Sequence, residues 1–347
     1  MKDLIYKIVR AVVKGLLQLY FGQIVVQGIE NVPRNKPVLF LSNHQNAFLD
    51  TILIATACGR SPFFLTRASV FTNKILKSIF TFFKMIPIYR IRDGIKSLKN
   101  NEQTFAICTA LLAKSQAIVL FPEGNHSLKR RVRPLSKGFT RIIFSSLEKF
   151  PDLDIYIVPI GVNYKSAANF PDKVAVIYGQ PIRVLDVYNG QDLVRSKDIF
   201  LKLVFEQLTT LTTHIESEKN YDAIIEKLDL LGPDYLVPEN INKRLIPITE
   251  STKIPEIKTS QGWFDAFSEF IFVLFNFPIV FAWRKFIKPK IKEQEFLSTM
   301  RFAFSVITYP FYYLMLLILG LFFWDINIAL MICLAVFLGN LTYTKFS

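Results

Sequence analysis

The chain has 347 residues, 51% of them hydrophobic and 33 of them phenylalanine, with a mean hydropathy of +0.31; that excludes an ordinary soluble enzyme and predicts membrane contact. A net charge of +14 and a pI near 9.6 suit either nucleic acid or an anionic membrane surface. High apolarity without a recognisable nucleic-acid module selects anionic membrane lipids as the partner and sets nucleic acid aside.

The first predicted element is a helix in residues 1–22. Lys7, Arg10, Lys14 and Gln18 recur at helical spacing through Leu4 to Phe21, and nearly everything between them is apolar. A narrow basic stripe on a broad apolar helix fits an anchor lying in the membrane interface; the alternative is a helix packed on a protein core. No small-residue cleavage site follows a compact apolar core, so no cleavable signal peptide is expected.

Over residues 23–190, short apolar runs alternate with longer amphipathic ones. Strands are predicted at Ile24–Gln27, Val38–Ser42, Phe63–Thr66, Ile86–Tyr89, Ile118–Phe121, Ile155–Val162 and Val174–Tyr178. Helices are predicted at Phe48–Cys58, Asn73–Phe83, Gly94–Ala113 and Lys137–Phe150. The pattern is that of an α/β domain, a mostly parallel central sheet flanked by helices. A helical extension, polar and mostly solvent-facing, is expected over 191–231. Gly232-Pro233, Pro238, Pro247 and Pro255 then interrupt any regular element and predict a linker over 232–262.

Residues 263–347 change character and read as a membrane-associated segment. Phe302 to Trp324 and Ile326 to Tyr343 are apolar, aromatic runs that each approach the ~20 residues a helix needs to cross a bilayer. The short Asp325-Ile326-Asn327 junction makes them a transmembrane helical hairpin. Arg284, Lys285, Lys288, Lys290 and Lys292 precede the pair and Lys345 follows it, which places both ends, and the α/β domain with them, on the cytoplasmic face. Phe267 to Trp283 is shorter and contains Glu269, Asn276 and Pro278, so it is expected to be interfacial or re-entrant. Cys58, Cys108 and Cys333 are odd in number and far apart; packed thiols in a reducing compartment are expected, with no metal and no disulfide framework.

Two polar islands carry the chemistry. Asn43-His44-Gln45-Asn46-Ala47-Phe48-Leu49-Asp50 follows one predicted strand, and Phe121-Pro122-Glu123-Gly124-Asn125-His126-Ser127 follows another. Two of the chain's three histidines lie in them. In open α/β sheets ligands gather beyond the carboxyl ends of strands. A histidine, a carboxylate and a glycine-containing loop there point to acid/base work on an anionic substrate. Histidine, titrating near ~6.5 in the unperturbed state, is well matched to taking a hydroxyl proton.

The two islands, in this order, resemble the glycerolipid acyltransferase family typified by 1-acylglycerol-3-phosphate acyltransferases, which carry an Asn-His…Asp block and a Phe-Pro-Glu-Gly block. Lys84-Met85-Ile86-Pro87-Ile88-Tyr89-Arg90 is similar to that family's Gly-x-x-Phe-Ile-x-Arg block, and Val158-Pro159-Ile160 to its fourth, proline-containing strand. The resemblance covers about the first half of the chain. It implies a membrane-bound O-acyltransferase of phospholipid biosynthesis that moves a fatty acyl group from a thioester (acyl-CoA or acyl-carrier protein, a substrate rather than a cofactor) to lysophosphatidic acid. It assigns His44 as base and Asp50 as the carboxylate behind its ring. Glu123 and Gly124 fall in the block that meets the glycerol-phosphate acceptor, where the carboxylate would bond an acceptor hydroxyl or hold a basic side chain. Arg90 matches the family's phosphate-binding arginine.

Two departures stand out. Five residues separate His44 from Asp50 where most members have four, which leaves open whether Asp50 reaches His44. The family's Thr-Arg after the glycine is Asn125-His126 here. Arg130, with Lys129, Arg131 and Arg133, is a candidate replacement for the absent arginine, or else part of a solvated basic run; Arg67 is a further candidate and Asn125 lines the same block. His126 is read as packing. Phe63, Phe64, Phe71, Phe80, Phe82 and Phe83 read as core or membrane-facing surface rather than an acyl tunnel. Glycerol 3-phosphate is the second acceptor to weigh, and a non-catalytic lipid-binding protein with this fold is the alternative from another class.

Overall fold

The computed structural model describes residues 2–90, 99–250 and 263–346. One eight-stranded sheet organises the α/β domain: β1 (Gln23–Gln27), β2 (Val38–Ser42), β3 (Phe63–Arg67), β4 (Met85–Ile88), β5 (Ala117–Leu120), β6 (Tyr156–Tyr164), β7 (Lys173–Tyr178) and β8 (Ile182–Arg183). Their order is β1-β7-β6-β2-β5-β3-β4, with β8 beside β6. From β6 to β4 every neighbouring pair is parallel, whereas β7 and β8 run antiparallel to β6. The expected mostly parallel sheet is present, and the two-residue β8 is an addition too short to leave a sequence signal.

The central strands are buried along their whole length because helices cover both faces. Every residue of β2 and β5 is buried. Along β2, Val38 and Phe40 face one core with α1 (Lys2–Tyr20) and α2 (Ala47–Ala57). Leu39 and Leu41 face the other, with α4 (Asn101–Ala113), α5 (Gly138–Lys149) and α6 (Leu193–Leu211). The helix α3 (Lys74–Phe82) precedes β4. Of the helix expected over 94–113, residues 94–98 lie outside the described residues. The phenylalanines of this region pack: Phe64 is in the core, Phe71 and Phe80 meet edge to face at 5.2 Å, and Phe82 meets Tyr6 of α1 at 6.4 Å. Cys58 and Cys108 are buried free thiols, and burial pushes Cys108 up to about 12.

The end of α1 and the residue after it pack on the domain, while apolar residues nearer its start are open. Leu17, Tyr20 and Phe21 join the core, while Leu4, Ile5, Ile8, Val12 and Leu19 are exposed. Exposed Ile75 and Ile79 of α3 add to the apolar surface of this part of the chain. Two expectations need correcting. The extension is not mostly solvent-facing: Ser196, Phe200, Val204 and Leu208, one stripe of α6, are buried against the sheet. The linker is not devoid of regular structure either, since after α7 (Tyr221–Leu230) a helix α8 (Pro238–Glu250) starts with Pro238 in its first turn, where its missing N–H is harmless. Residues 251–262 of the expected linker lie outside the described residues.

Beyond them, α9 (Trp263–Phe275) and α10 (Phe277–Ala282) are bent by 93° at Asn276, as a re-entrant or broken segment requires. The helices α11 (Leu297–Phe323) and α12 (Ile326–Phe346) are long and apolar enough to cross a membrane; at about 1.5 Å per residue α11 exceeds a ~30 Å hydrocarbon core. Asp325 makes the turn by accepting from the N–H groups of Asn327 and Ile328. Gly320 lies so close to Ala329 that a side chain there would collide, at 2.6 Å from the alanine Cβ. Inside the bundle Asn276 and Asn340 exchange amide hydrogen bonds, and the Tyr309 hydroxyl donates to Asn276. This polar knot satisfies groups that lipid could not.

Candidate active site

The His44 loop leaves the C-terminal end of β2, between β5 and β6, and runs into α2. Its ends are fixed by side-chain amides. Asn43 exchanges two hydrogen bonds with the Val162 backbone on β6, at 3.0 and 2.8 Å. Asn46 donates to the Ala167 carbonyl at 2.8 Å. The additional residue of the motif is absorbed at Ala47, which adopts φ 37°, a left-handed conformation that costs a residue with a Cβ about 1–2 kcal/mol. With that turn made, Asp50 falls in the first turn of α2 and does reach His44.

The His44 Nδ1 to Asp50 Oδ2 distance is 2.7 Å. Asp50 is fully buried and saturated with donors: the backbone N–H groups of Gln45 and Asn46 reach Oδ2 at 2.9 and 2.8 Å, and the Tyr164 hydroxyl reaches Oδ1 at 2.6 Å. Burial, with Asp50 beside it, pushes the Tyr164 hydroxyl well above its ordinary 10.0, so it stays a donor. With Nδ1–H donating to Asp50, the lone pair of His44 lies on Nε2, the arrangement of a general base. Phe121 stacks on the imidazole at 3.9 Å and the His44 carbonyl accepts from the Ser127 N–H at 2.9 Å, so the two islands form one site.

Glu123 takes one of the two roles expected of it: it holds a basic side chain. Arg133 Nε donates to Glu123 Oε2 at 3.0 Å, the Arg133 backbone N–H donates to Oε1 at 3.3 Å, and the guanidinium also bonds Asn125. Burial raises Glu123 above its ordinary value, against the lowering effect of Arg133. Gly124, with φ 77°, makes the turn, and its carbonyl accepts from Arg90 at 2.9 Å. Arg67 is exposed at the end of β3 and acts electrostatically on His126.

Arg130 is not available as a phosphate ligand, contrary to expectation. Its guanidinium donates to the Tyr164 and Lys165 carbonyls at 3.0 and 2.8 Å and lies 3.3 Å from the centre of the Tyr235 ring. Arg131 pairs with Glu218 at 2.6 Å. The run 129–133 is thus mostly structural, and its last arginine is the one that pairs with the motif carboxylate Glu123.

His126 does more than pack. Its ring meets His44 edge to face at 5.7 Å, and burial lowers its basicity. Its Nε2 lies 3.6 Å from Glu293, and among the described residues His126, Glu293 and Glu295 form a group whose donor atoms all lie within 4.8 Å of one another. No spacing in the sequence announces that group, because its acids precede α11.

Four participants had no motif to reveal them. Tyr164 ends β6, 114 residues from its partner Asp50. Ser298 and Thr299 begin α11: the Ser298 hydroxyl donates to the Ala167 carbonyl at 2.6 Å, and Thr299 Oγ1 accepts from the Leu49 N–H at 3.2 Å. Asp172 holds the loop they grip, accepting from the N–H groups of Ser166, Ala167 and Lys173, and burial pushes it up to about 6.

Comparison with known proteins adds independent findings. Residues 23–163 match the family model described as Acyltransferase. A chloroplastic 1-acyl-sn-glycerol-3-phosphate acyltransferase of Brassica napus is 30% identical over 116 residues, 33% of this chain and 31% of that one. Glycerol-3-phosphate O-acyltransferase 1 of Saccharomyces cerevisiae is 33% identical over 73 residues, 21% of this chain and 10% of that one. The chain therefore spans less than a third of the length of either relative. Among solved structures, a 1-acyl-sn-glycerophosphate acyltransferase of Thermotoga maritima matches with a TM-score of 0.42 and 16% identity, covering 60% of this chain and 81% of that one.

Proposed function

We propose, from the premise that residues 23–163 are a domain of the Acyltransferase family, that this protein is a membrane-bound O-acyltransferase of glycerolipid synthesis whose acceptor is lysophosphatidic acid. The observation that carries the reading is the His44–Asp50 pair, 2.7 Å apart, with every other contact to Asp50 made by a fixed donor. Such a pair supports a reading in which Nε2 is held ready for a proton.

In the proposed reaction His44 Nε2 takes the proton of the acceptor hydroxyl as its oxygen attacks the thioester carbonyl. The C–S bond of the tetrahedral intermediate then breaks, the thiolate leaves with the proton from His44, and the ester remains. No acyl-enzyme forms. Asp50 stabilises the imidazolium at the midpoint. Arg90 and Arg67, just beyond and at the ends of β4 and β3, supply positive charge for the acceptor's phosphate. The acyl donor is acyl-CoA or acyl-carrier protein. The basic run before α11 and Lys345 at the end of α12 support a cytoplasmic α/β domain, and the exposed leucines and isoleucines of α1 support its lying against the membrane surface.

Glycerol 3-phosphate is the second reading, favoured by His126 at the position where the family resemblance expects arginine. The deciding experiment follows thiol release from palmitoyl-CoA by detergent-purified protein, with lysophosphatidic acid and with glycerol 3-phosphate. Turnover with lysophosphatidic acid that disappears in His44→Ala supports the proposal. Turnover confined to glycerol 3-phosphate moves the assignment to the second acceptor, and turnover that survives in His44→Ala removes the mechanism.

A further inference from the structure

We infer that Thr299, at the start of the first membrane-crossing helix, is a positioning residue for the His44–Asp50 pair, so that the membrane hairpin forms part of the catalytic site's frame. The inference rests on the acyltransfer reading for its meaning and on the hydrogen bonds around residues 46–50 for its geometry.

The N-terminus of α2 lacks the cap a helix usually has. Asn46 occupies the cap position, where its side chain would normally bond an N–H of the first turn. It is turned away, donating to the Ala167 carbonyl at 2.8 Å, and makes no cap bond. Thr299 Oγ1, from 250 residues away, shares the Leu49 N–H with the Asn46 carbonyl, at 3.2 and 2.9 Å. The same hydroxyl donates to the Asn46 carbonyl at 3.4 Å. One side chain thus holds both limbs of the turn.

That turn is where the loop is strained. Ala47, between the two residues Thr299 grips, has φ 37°. Strained backbone persists only where its surroundings over-determine it. Asn46 is also the residue whose N–H anchors Asp50 Oδ2, at 2.8 Å. Thr299 joins the N–H groups of Leu49 and Asp50 in holding Asn46 by its carbonyl, and the Asp50 carboxylate holds it by its amide, so loosening the turn at Thr299 is transmitted to the second contact. Asp50 in turn sets the His44 ring.

Neighbours on the same helix make the grip rigid. The Ser298 hydroxyl donates at 2.6 Å to the Ala167 carbonyl, the acceptor Asn46 also uses, and Arg301 donates to Ala168 at 3.0 Å. The Tyr20 hydroxyl of α1 donates to the Ser298 carbonyl at 3.3 Å. At the other end of the hairpin, Lys345 donates to the carbonyls of Gln18, Phe21 and Gly22 at the end of α1. The hairpin is clamped to the domain at both ends, and Thr299 is where the clamp meets the catalytic loop.

The test compares Thr299→Val, which keeps the shape and removes the hydroxyl, with Thr299→Ser, which keeps it. In detergent-purified full-length protein, Thr299→Val is expected to lower kcat about tenfold, the scale of one lost hydrogen bond in a positioned site, with both KM values little changed; Thr299→Ser restores kcat. Hydrogen exchange of the peptide spanning residues 45–52 is expected to quicken in the valine variant and not in the serine variant. An unchanged kcat in Thr299→Val, or a fall shared equally by the folded serine variant, overturns the inference. If the valine variant does not fold, Thr299→Ala takes its place in the same comparison. If the wild type transfers no acyl group, the function assignment fails, and unaltered exchange at 45–52 in Thr299→Val would refute the positioning role separately.

Discussion

Arg133→Met offers a quantitative test of the site, because it removes one partner of a pair and leaves the other in place. The Glu123 side chain is 3% exposed and that of Arg133 is 23% exposed. The guanidinium bonds Glu123 and both the side chain and the carbonyl of Asn125. Stranding one member of a buried pair typically destabilises by about 3–5 kcal/mol, and partial exposure of Arg133 argues for the lower end. At roughly 2–4 °C per kcal/mol for a domain of this size, the melting temperature should drop by about 6–12 °C. The pH dependence has a defined sign. Burial already raises Glu123 above its ordinary 4.5, and Arg133 opposes that rise. Removing the arginine raises it further, so the native state holds that proton more tightly than the unfolded state does. Stability from this group is then fully present below 4.5 and is lost as pH rises through the raised folded value. Melting in detergent by intrinsic fluorescence at pH 7.5 and pH 5 is the assay: the deficit of Arg133→Met should shrink at the lower pH, and Glu123→Gln in the same background should recover at least half of it. A deficit that is absent at pH 7.5, or that grows at pH 5, refutes the reasoning.

Three further outcomes follow from single contacts. Tyr164→Phe removes the donor to Asp50 Oδ1 without opening a cavity, and should lower kcat about tenfold with KM unchanged in the thiol-release assay. Ala47→Val places a β-branched residue at φ 37° in a site only 4% exposed, and should destabilise by about 2 kcal/mol or more, whereas Ala47→Gly should stay within about 1 kcal/mol of wild type by detergent melting. Asn340→Leu removes the two Asn276–Asn340 bonds but leaves Asn276 its contacts with Tyr309 and the Phe272 carbonyl, and should lower the melting temperature in detergent by a few degrees, about 1 kcal/mol for a bond between membrane helices.

What the sequence made legible has a common cause. The strands Val38–Ser42 and Ala117–Leu120 were readable because burial on both faces demands an unbroken apolar run. The hairpin was readable because lipid makes the same demand over a longer stretch. His44 and Asp50 were readable as candidates because they are close in sequence. Tyr164 and Thr299 were not: their contacts with residues 50 and 49 span 114 and 250 residues respectively and follow from topology alone. Arg130 and Arg133 looked equivalent within one basic run. They separate only when folded, because Arg130 falls against the Tyr235 ring and the end of β6 while Arg133 falls beside Glu123. The polar appearance of 191–211 concealed a four-residue stripe, from Ser196 to Leu208, that is enough to bury one face of a helix. Pro238 was misread as a breaker because in a first turn proline lacks only an N–H that has no partner within the helix.

The longer spacing between His44 and Asp50 acquires a physical meaning from these contacts. A loop with one residue more than most members of the family it resembles has more conformations to lose, and this one also carries an unfavourable φ at Ala47. Left to itself, it would hold the Asp50–His44 bond loosely. It is instead braced from three directions: by Asn43 to β6, by Asn46 to the Ala167 turn, and by Thr299 from α11. The third brace comes from a segment beyond the reach of the acyltransferase resemblance. The four donors on the buried Asp50 accord with its proposed role of setting the His44 ring. The extra residue and the membrane helix are therefore better understood together, the loop being lengthened where a second structural element is present to hold it.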